Sequence, residues 1–141
     1  MTITHTIVNP GMFEHWGDMN EDFLVFLDSV FQGCGWFTKI TSDYRDPIAQ
    51  QEQIKEGHGA AEYSLHELGK AIDLRAPRQS DGKLDYVKYG LLVDAVCLYR
   101  RGIKVELELD ITPNNVHIHI GWYGTPGGLI VEPVCRHTIA A

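Results

Sequence analysis

The chain has 141 residues, of which 44% are hydrophobic and 22% are charged, a composition typical of one globular domain with a full apolar core. Twelve Lys and Arg residues stand against 19 Asp and Glu residues, and the formal net charge of −7 excludes the basic excess that draws proteins onto nucleic acid or anionic membranes. We predict a single domain over residues 1–141, with no nucleic-acid partner. We also predict no membrane insertion, since no apolar run approaches the roughly 18 residues of a membrane span.

The start of the chain and its cysteines indicate a compartment. A secretory signal peptide begins with a basic segment followed by an apolar one. The first residues do not show this pattern, and we expect synthesis in the cytoplasm. Three cysteines cannot all pair with one another, and none stands in a Cys-x-x-Cys spacing. We interpret all three as reduced packing residues: Cys34, Cys97 and Cys135.

Two main helices are predicted in the first hundred residues. Apolar residues recur at helical spacing after Asn20, which can cap the helix, and the run stops near Gly35. A second helix is predicted between Leu84 and Arg101, with one apolar stripe facing the core: Val87, Leu91, Leu92, Ala95, Val96 and Leu98. The intervening sequence predicts four shorter segments: strands over 36–42 and 70–74, a helix over 46–54 and a loop over 56–64.

The clearest strands form a predicted hairpin. Apolar and polar residues alternate with the period of a half-buried strand in two consecutive segments: 103–110 and 116–122. With both apolar rows on the core face, Glu108 lies opposite His117 and Glu106 opposite His119, although a shift of two residues would change these pairs. Helices gathered against an antiparallel sheet indicate an α+β domain.

Two segments together supply a candidate metal site. A catalytic zinc site needs three protein ligands and one open position. The segment 64–73 places His66 and Asp73 seven positions apart across a turn, and His117 and His119 flank one residue of a strand. A His-x-His pair alone is more often a hydrogen-bonded polar face than a metal site, so the prediction depends on the combination. His5, His15 and His137 lie outside these segments and are assigned no role.

The combined pattern resembles a known family. The motif SxHxxGxAxD at 64–73, preceded by ITSDYRDP at 40–47 and followed by HxH at 117–119, resembles the D-Ala-D-Ala metallopeptidase family. That family shares one zinc-binding fold with lysostaphin-type peptidases and the hedgehog signalling domain. The resemblance covers residues 20–122 and implies an α+β fold of this type, with helices packed against a central antiparallel sheet.

The resemblance also implies roles for individual residues. His66, Asp73 and His119 would be the three zinc ligands. Arg45 would bind the substrate carboxylate or the developing oxyanion, which suits a guanidinium group. Ser64 would steady its loop or touch the substrate. The ordinary interpretation of Arg45 is a surface ion pair with a neighbouring acidic residue.

The general base is where this sequence departs from the family. Many members carry a Glu three positions before the last His ligand, and this chain has Val116 there. The resemblance therefore makes His117 the candidate base, with Glu106 or Glu108 as a hydrogen-bonding partner of the ligands or as a competing base. Both glutamates can also serve only to solubilise a sheet face. Asp43 stands where the family usually has Gly, so we expect the shape of that turn to differ from the family's.

The resemblance implies zinc-dependent hydrolysis of D-amino-acid-containing peptide bonds in bacterial peptidoglycan, by a carboxypeptidase or an endopeptidase. The partners would be peptidoglycan peptide stems, and we expect a monomer. A short chain without a signal peptide is similar to a phage or prophage endolysin that reaches the cell wall by other means. The alternative is a non-catalytic zinc-binding domain of the same fold in a phage particle, because a fold can keep its metal after losing its chemistry. A metal-free binding module would require the three ligands to be grouped by accident.

Overall fold

The structure, a computed structural model, describes residues 7–48, 51–52, 64–112 and 115–132. Two helices lie wholly within the described residues, α1 (Glu21–Cys34) and α2 (Tyr86–Tyr99). Five strands follow the chain in this order: β1 (Ile40–Ser42), β2 (Ala71–Arg75), β3 (Ile103–Thr112), β4 (Asn115–Pro126) and β5 (Leu129–Glu132). Three short 3-10 turns complete the described elements: Pro10–Met12, Trp16–Asp18 and Leu65–Leu68.

The five strands form one sheet in the order β1-β2-β4-β3-β5. All neighbouring strands are antiparallel except β3 and β5, which run parallel. The predicted α+β fold is confirmed, but the sheet is mixed rather than purely antiparallel. The difference arises after β4, where the chain turns back at Gly127 and adds β5 to the free edge of β3. The Arg100 guanidinium fixes this turn by donating to the Gly127 carbonyl at 2.8 Å.

The first helix begins and ends as its sequence predicts. The Asn20 side chain accepts a hydrogen bond from the backbone N–H of Phe23 at 3.0 Å, which satisfies one of the free donors of the first turn. Gly35 ends the helix with φ of 79°, a left-handed conformation that glycine adopts without a steric penalty.

The second helix buries a narrower surface than its sequence predicts. Its buried residues are Tyr89, Leu92, Ala95 and Val96. Val87, Leu91 and Leu98 belong to the predicted stripe but are 74%, 46% and 69% exposed, so their assignment to the core is wrong. The apolar residues extend around most of the helix, and among the described residues the side that meets α1 and the core cluster is the covered one. The helices approach closely at Gly33, where a Cβ atom would lie 2.6 Å from the Tyr99 ring.

The predicted register of the hairpin is wrong by two residues. Asp110 lies opposite His117 and Glu108 opposite His119, because the strands continue to Thr112 and Asn115 and pair there instead of ending earlier. A shift of two residues keeps every side chain on its predicted face. Ile118 and Ile120 are accordingly buried in the core.

Several predictions fall partly outside the described residues. Residues 47–48 and 51–52 are helical and residue 46 is not, while residues 49–50 and 53–54 of the predicted helix and residues 56–63 of the predicted loop lie outside them. The strand predicted over 36–42 is confined to β1, and the strand over 70–74 is confirmed as β2. Cys34 is buried, Cys97 is exposed and does not pack as predicted, and both are free thiols; Cys135 lies outside the described residues. In the described part of the chain, no helix has the length and apolarity to cross a membrane.

Candidate metal centre

Three ligand-type side chains converge on the face of the sheet opposite the core. His66 comes from the 3-10 turn Leu65–Leu68, Asp73 from β2, and His119 from β4. Asp73 Oδ1 lies 3.0 Å from His119 Nδ1 and 3.4 Å from His66 Nε2. One ligand atom of each residue lies within 4.8 Å of the other two. Two imidazoles and one carboxylate form a donor set that suits zinc and leaves a further position open.

The sheet itself brings two of the three residues together. Asp73 and His119 are direct partners in the antiparallel pairing of β2 with β4. Their neighbours Ile72, Leu74 and Ile118 are fully buried, and side chains alternate between the two faces of a strand. Burial of the isoleucine and leucine side chains therefore forces the Asp73 and His119 side chains onto the opposite face.

The turn that carries His66 explains the spacing of the motif. The Ser64 hydroxyl oxygen accepts a hydrogen bond from the backbone N–H of His66 at 3.1 Å and caps the turn. Gly69 ends the turn with φ of 67°, and a Cβ atom there would lie 2.2 Å from the Asp18 carbonyl oxygen. Both conditions require glycine at this position. Contact of Ser64 with a substrate stays a prediction.

Each imidazole has its outward nitrogen held by a hydrogen bond. His66 Nδ1 donates to the backbone carbonyl of Asp43 at 2.6 Å, which turns Nε2 toward Asp73. His119 Nε2 donates to Glu106 Oε1 at 2.8 Å, which turns Nδ1 toward Asp73. Metal-binding histidines generally have this arrangement, because the hydrogen bond fixes the tautomer and the ring orientation.

Glu106 makes its contact with His119 diagonally. The residue directly opposite Glu106 is Gly121, and a Cβ atom at position 121 would lie 2.8 Å from both Cγ and Oε1 of Glu106. The missing side chain therefore gives the glutamate room to reach along the strand. The hydroxyl of Tyr123 donates to Glu106 Oε2 at 2.7 Å, so both carboxylate oxygens accept hydrogen bonds. No pattern in the sequence singles out Gly121 or Tyr123.

The pKa values are shifted in four residues of this cluster: Asp73, Glu106, His119 and Tyr123. Burial opposes ionisation of Asp73, but the hydrogen bonds from His119 and His66 outweigh it and hold the pKa of the carboxyl well below its usual range. Burial also disfavours the charged form of His119, yet its bonds to Asp73 and Glu106 raise its pKa to about 9. The hydrogen bond from His119 lowers the pKa of Glu106. Burial and the bond to Glu106 raise the pKa of Tyr123 to about 12.

The remaining predicted residues lie around this cluster. The Arg45 guanidinium donates to Ser42 Oγ at 3.1 Å, and Ser42 pairs with Asp73 at the edge of the sheet. Glu108 lies directly opposite His119 on β3. His117 shares the face of His119, and its buried Nδ1 atom has no hydrogen-bond partner among the residues that the structure describes.

His15, to which the sequence analysis assigned no role, contacts the loop that holds His66. Its Nδ1 donates to Asp43 Oδ1, and its backbone N–H donates to Asp43 Oδ2, both at 2.8 Å. The hydrogen bond to Asp43 raises the pKa of His15. The two residues are 28 positions apart, and no local pattern connects them.

No protein-family model and no curated protein matches the chain. Among solved structures, the fold is similar to that of the L-Ala D-Glu endopeptidase ChiX from Serratia marcescens, with a TM-score of 0.57 and 19% sequence identity over 77% of this chain and 84% of that chain. The two proteins share a fold. At this identity the similarity extends to the arrangement of helices and strands, and the chemistry has to be argued from the site.

Proposed function

We propose that the chain is a zinc-dependent peptidase that hydrolyses D-amino-acid-containing peptide bonds of bacterial peptidoglycan. The observation that carries the proposal is the convergence of one ligand atom each from His66, Asp73 and His119. The fold shared with an L-Ala D-Glu endopeptidase supports the substrate class, since bonds between L- and D-residues are typical of peptidoglycan peptide stems.

The donor atoms fit zinc. His66 Nε2, Asp73 Oδ1 and His119 Nδ1 would hold the ion, and the opposite nitrogen of each ring is already hydrogen-bonded. The chemistry that zinc supplies when such a set holds it is Lewis-acid activation of a water molecule and of the scissile carbonyl. Because the three ligand side chains would be occupied by the ion, the surrounding side chains would carry out proton transfer and substrate binding.

His117 is the proposed general base. It would accept a proton from the attacking water and deliver it to the leaving amine nitrogen. Its position on the face of His119, and a buried Nδ1 with no hydrogen-bond partner in the described part of the chain, support this role. Glu106 suits the role less, because both of its oxygens already accept hydrogen bonds and its pKa is lowered. Glu108 is kept as the second candidate.

Arg45 is proposed to bind a substrate carboxylate or the developing oxyanion. Its guanidinium is tied to Ser42, the residue that pairs with the ligand Asp73. Its backbone N–H donates to the His66 carbonyl at 3.1 Å. A rigidly placed guanidinium beside the site stabilises negative charge that forms there.

The test combines metal analysis with amine release from purified peptidoglycan. Wild-type protein should contain about one zinc per chain and release amines, while His66→Ala should lose both. His117→Ala should keep zinc and lose amine release by about 10²–10⁴-fold, the usual contribution of a general base. Asp81→Asn, in the exposed turn before α2, is the matched control and should behave as wild type. Wild-type protein that holds no zinc after reconstitution would refute the proposal.

A second candidate is the non-catalytic zinc-binding domain. Val116, at the position where many members of the D-Ala-D-Ala metallopeptidase family have a glutamate, packs against the core and can supply no base. Zinc-loaded wild-type protein that never releases amines would favour this candidate. Synthetic stem peptides containing an L-Ala–D-Glu or a terminal D-Ala–D-Ala bond would then separate endopeptidase from carboxypeptidase action in an active protein.

Action at the cell wall after release by a phage or prophage is also part of the proposal. Added to washed cells from outside, the active protein should lower the turbidity of a suspension whose outer barrier has been permeabilised. His66→Ala is the control. A protein that cleaves isolated stem peptides but never lowers turbidity would contradict an endolysin role and leave the peptidase activity intact.

A further inference from the structure

We propose that His15 is a positioning residue for the metal centre: it anchors the side chain of Asp43 so that the Asp43 carbonyl holds the ring of His66. The inference rests on the proposed function in one respect, namely that His66 is a metal ligand. His15 itself touches none of the three ligands in the contacts described.

His15 anchors the Asp43 carboxylate with two hydrogen bonds, one to each oxygen. The imidazole Nδ1 of His15 binds Asp43 Oδ1, and the backbone N–H of the same residue binds Oδ2, both at 2.8 Å. The His15 ring also meets the Tyr44 ring edge-on, with centroids 5.9 Å apart. Two oxygens held by two donors of one residue fix both the position and the rotation of the Asp43 side chain.

Asp43 depends on these two hydrogen bonds because its side chain is buried. Its exposure is 3%, and a buried carboxylate is stable only where hydrogen bonds replace its lost water. The His15 side chain is itself 41% exposed, so removing the imidazole would replace a fixed donor to Oδ1 with exchanging water. The Asp43 carboxylate would then keep one of its two fixed hydrogen bonds, from the backbone N–H of residue 15, and the loop around it would be free to shift.

Such a movement would reach His66 by two routes. The Asp43 carbonyl accepts the Nδ1 proton of His66 at 2.6 Å, and the backbone N–H of Arg45 donates to the His66 carbonyl at 3.1 Å. The segment from Asp43 to Arg45 therefore contacts both the ring and the backbone of the ligand. Displacement of this segment frees the His66 ring to rotate and turns Nε2 away from Asp73.

A competing interpretation makes the same region a second metal site. Ligand atoms of Glu14, His15 and Asp43 also lie within 4.8 Å of one another. Both Asp43 oxygens, however, already accept hydrogen bonds from His15, and Glu14 is exposed. The positioning role requires only the two hydrogen bonds that His15 already makes to Asp43. A metal ion there would have to break the hydrogen bond between the imidazole and Asp43.

The experiment compares four proteins: wild type, His15→Ala, His15→Asn and Glu14→Gln. The first measurement is hydrogen exchange of the His66 Nδ1 proton by NMR in metal-free protein. The second is the zinc dissociation constant from competition with a chelator. His15→Ala should accelerate exchange and weaken zinc binding about tenfold, the lower end of the effect of a residue that orients a ligand. His15→Asn should restore both, because the amide nitrogen of Asn takes the place of Nδ1. Glu14→Gln should match wild type.

Unchanged exchange and unchanged zinc affinity in His15→Ala would overturn the inference. So would two zinc ions per wild-type chain with one lost in Glu14→Gln, which would make His15 a ligand. If His15→Ala does not fold, His15→Asn and His15→Gln give the same decision, since the longer Gln cannot place its nitrogen at the Nδ1 position. Wild-type protein that binds no zinc would contradict the proposed function, and the exchange measurement would still decide the role of His15.

Discussion

Glu106 and His119 meet diagonally across the β3–β4 pairing, with Oε1 and Nε2 2.8 Å apart. The position directly opposite Glu106 is occupied by Gly121. One carboxylate thus orients a candidate ligand only because the residue facing it has no side chain.

Gly121→Ala should therefore disturb the centre without touching a ligand. The new Cβ would lie 2.8 Å from Glu106 Cγ and 2.7 Å from Leu65 Cδ1, so Glu106 must move away from His119. We expect a loss of about 1–3 kcal/mol of stability from overpacking and a fall in the pKa of His119 from about 9, which NMR titration measures. Gly128→Ala, where a Cβ would meet nothing within 4 Å, is the control, and an unchanged His119 titration in Gly121→Ala would contradict the argument.

Zinc affinity should rise with pH up to about 9. Below its pKa of about 9, His119 carries a proton on the nitrogen that faces Asp73, and the metal must displace it. Asp73 is ionised throughout because its pKa is lowered, so it adds no slope. We expect the His119 proton to contribute about a tenfold gain in affinity per pH unit between pH 6 and 8.5, measured by chelator competition.

Glu106→Gln provides the matched test of that slope. The amide keeps the size of the side chain but no longer favours the charged imidazole, so the pKa of His119 should fall and the slope should flatten at the upper end of the range. A wild-type affinity that does not change between pH 6 and 8.5 would show that zinc displaces no such proton.

The bond between His15 and Asp43 should make stability depend on pH. The folded-state pKa of His15 is raised above the value of about 6.5 in the unfolded chain. Its contribution is therefore fully present below pH 6.5 and is lost as pH rises through the folded pKa. His15→Ala should lower the free energy of unfolding more at pH 5.5 than at pH 8.5, as measured by urea denaturation. Asp81→Asn is the comparison variant, and an equal loss at both pH values in His15→Ala would be the contrary result.

Leu92 and Leu91 form a matched pair for the packing of α2. Leu92 is fully buried, and Leu91 is 46% exposed. Leu92→Ala should cost about 2–5 kcal/mol of stability through lost burial and a cavity. Leu91→Ala should cost less than about 1 kcal/mol. Denaturation midpoints measure both, and similar losses would mean that the outer face of α2 is covered in solution.

The sequence was sufficient for the parts of the fold that depend on periodicity. Alternation places Ile118 in the core and His119 on the opposite face, and this holds whether or not the register shifts by two residues. The register itself depends on where the hairpin turns, which the pattern does not determine. The short run Leu129–Glu132 lacks alternation, so the pattern gave no sign of β5 or of its parallel pairing.

The candidate site was predictable as a set of residue types and less so as a set of contacts. The resemblance implied His66, Asp73 and His119 as ligands. His66 and Asp73 share one short segment, whereas His119 stands 46 positions from Asp73 and reaches it through strand pairing. The partner of the His66 ring is a backbone carbonyl, which any residue at position 43 would supply. The hydrogen bonds from His15 to Asp43 join residues 28 positions apart. The contact of Glu106 with His119 depends on the absence of a side chain at Gly121. Long-range packing creates these contacts.

The alternation on β4 links the cluster to the folding reaction. A slip of one residue against β2 would turn the imidazole of His119 toward the apolar interior and expose Ile118 where the ligand belongs. Only correctly paired molecules can therefore assemble the three donors. The rate at which a refolding chain becomes able to bind zinc would then report the rate at which its strands reach the correct register. No probe attached to the protein would be needed.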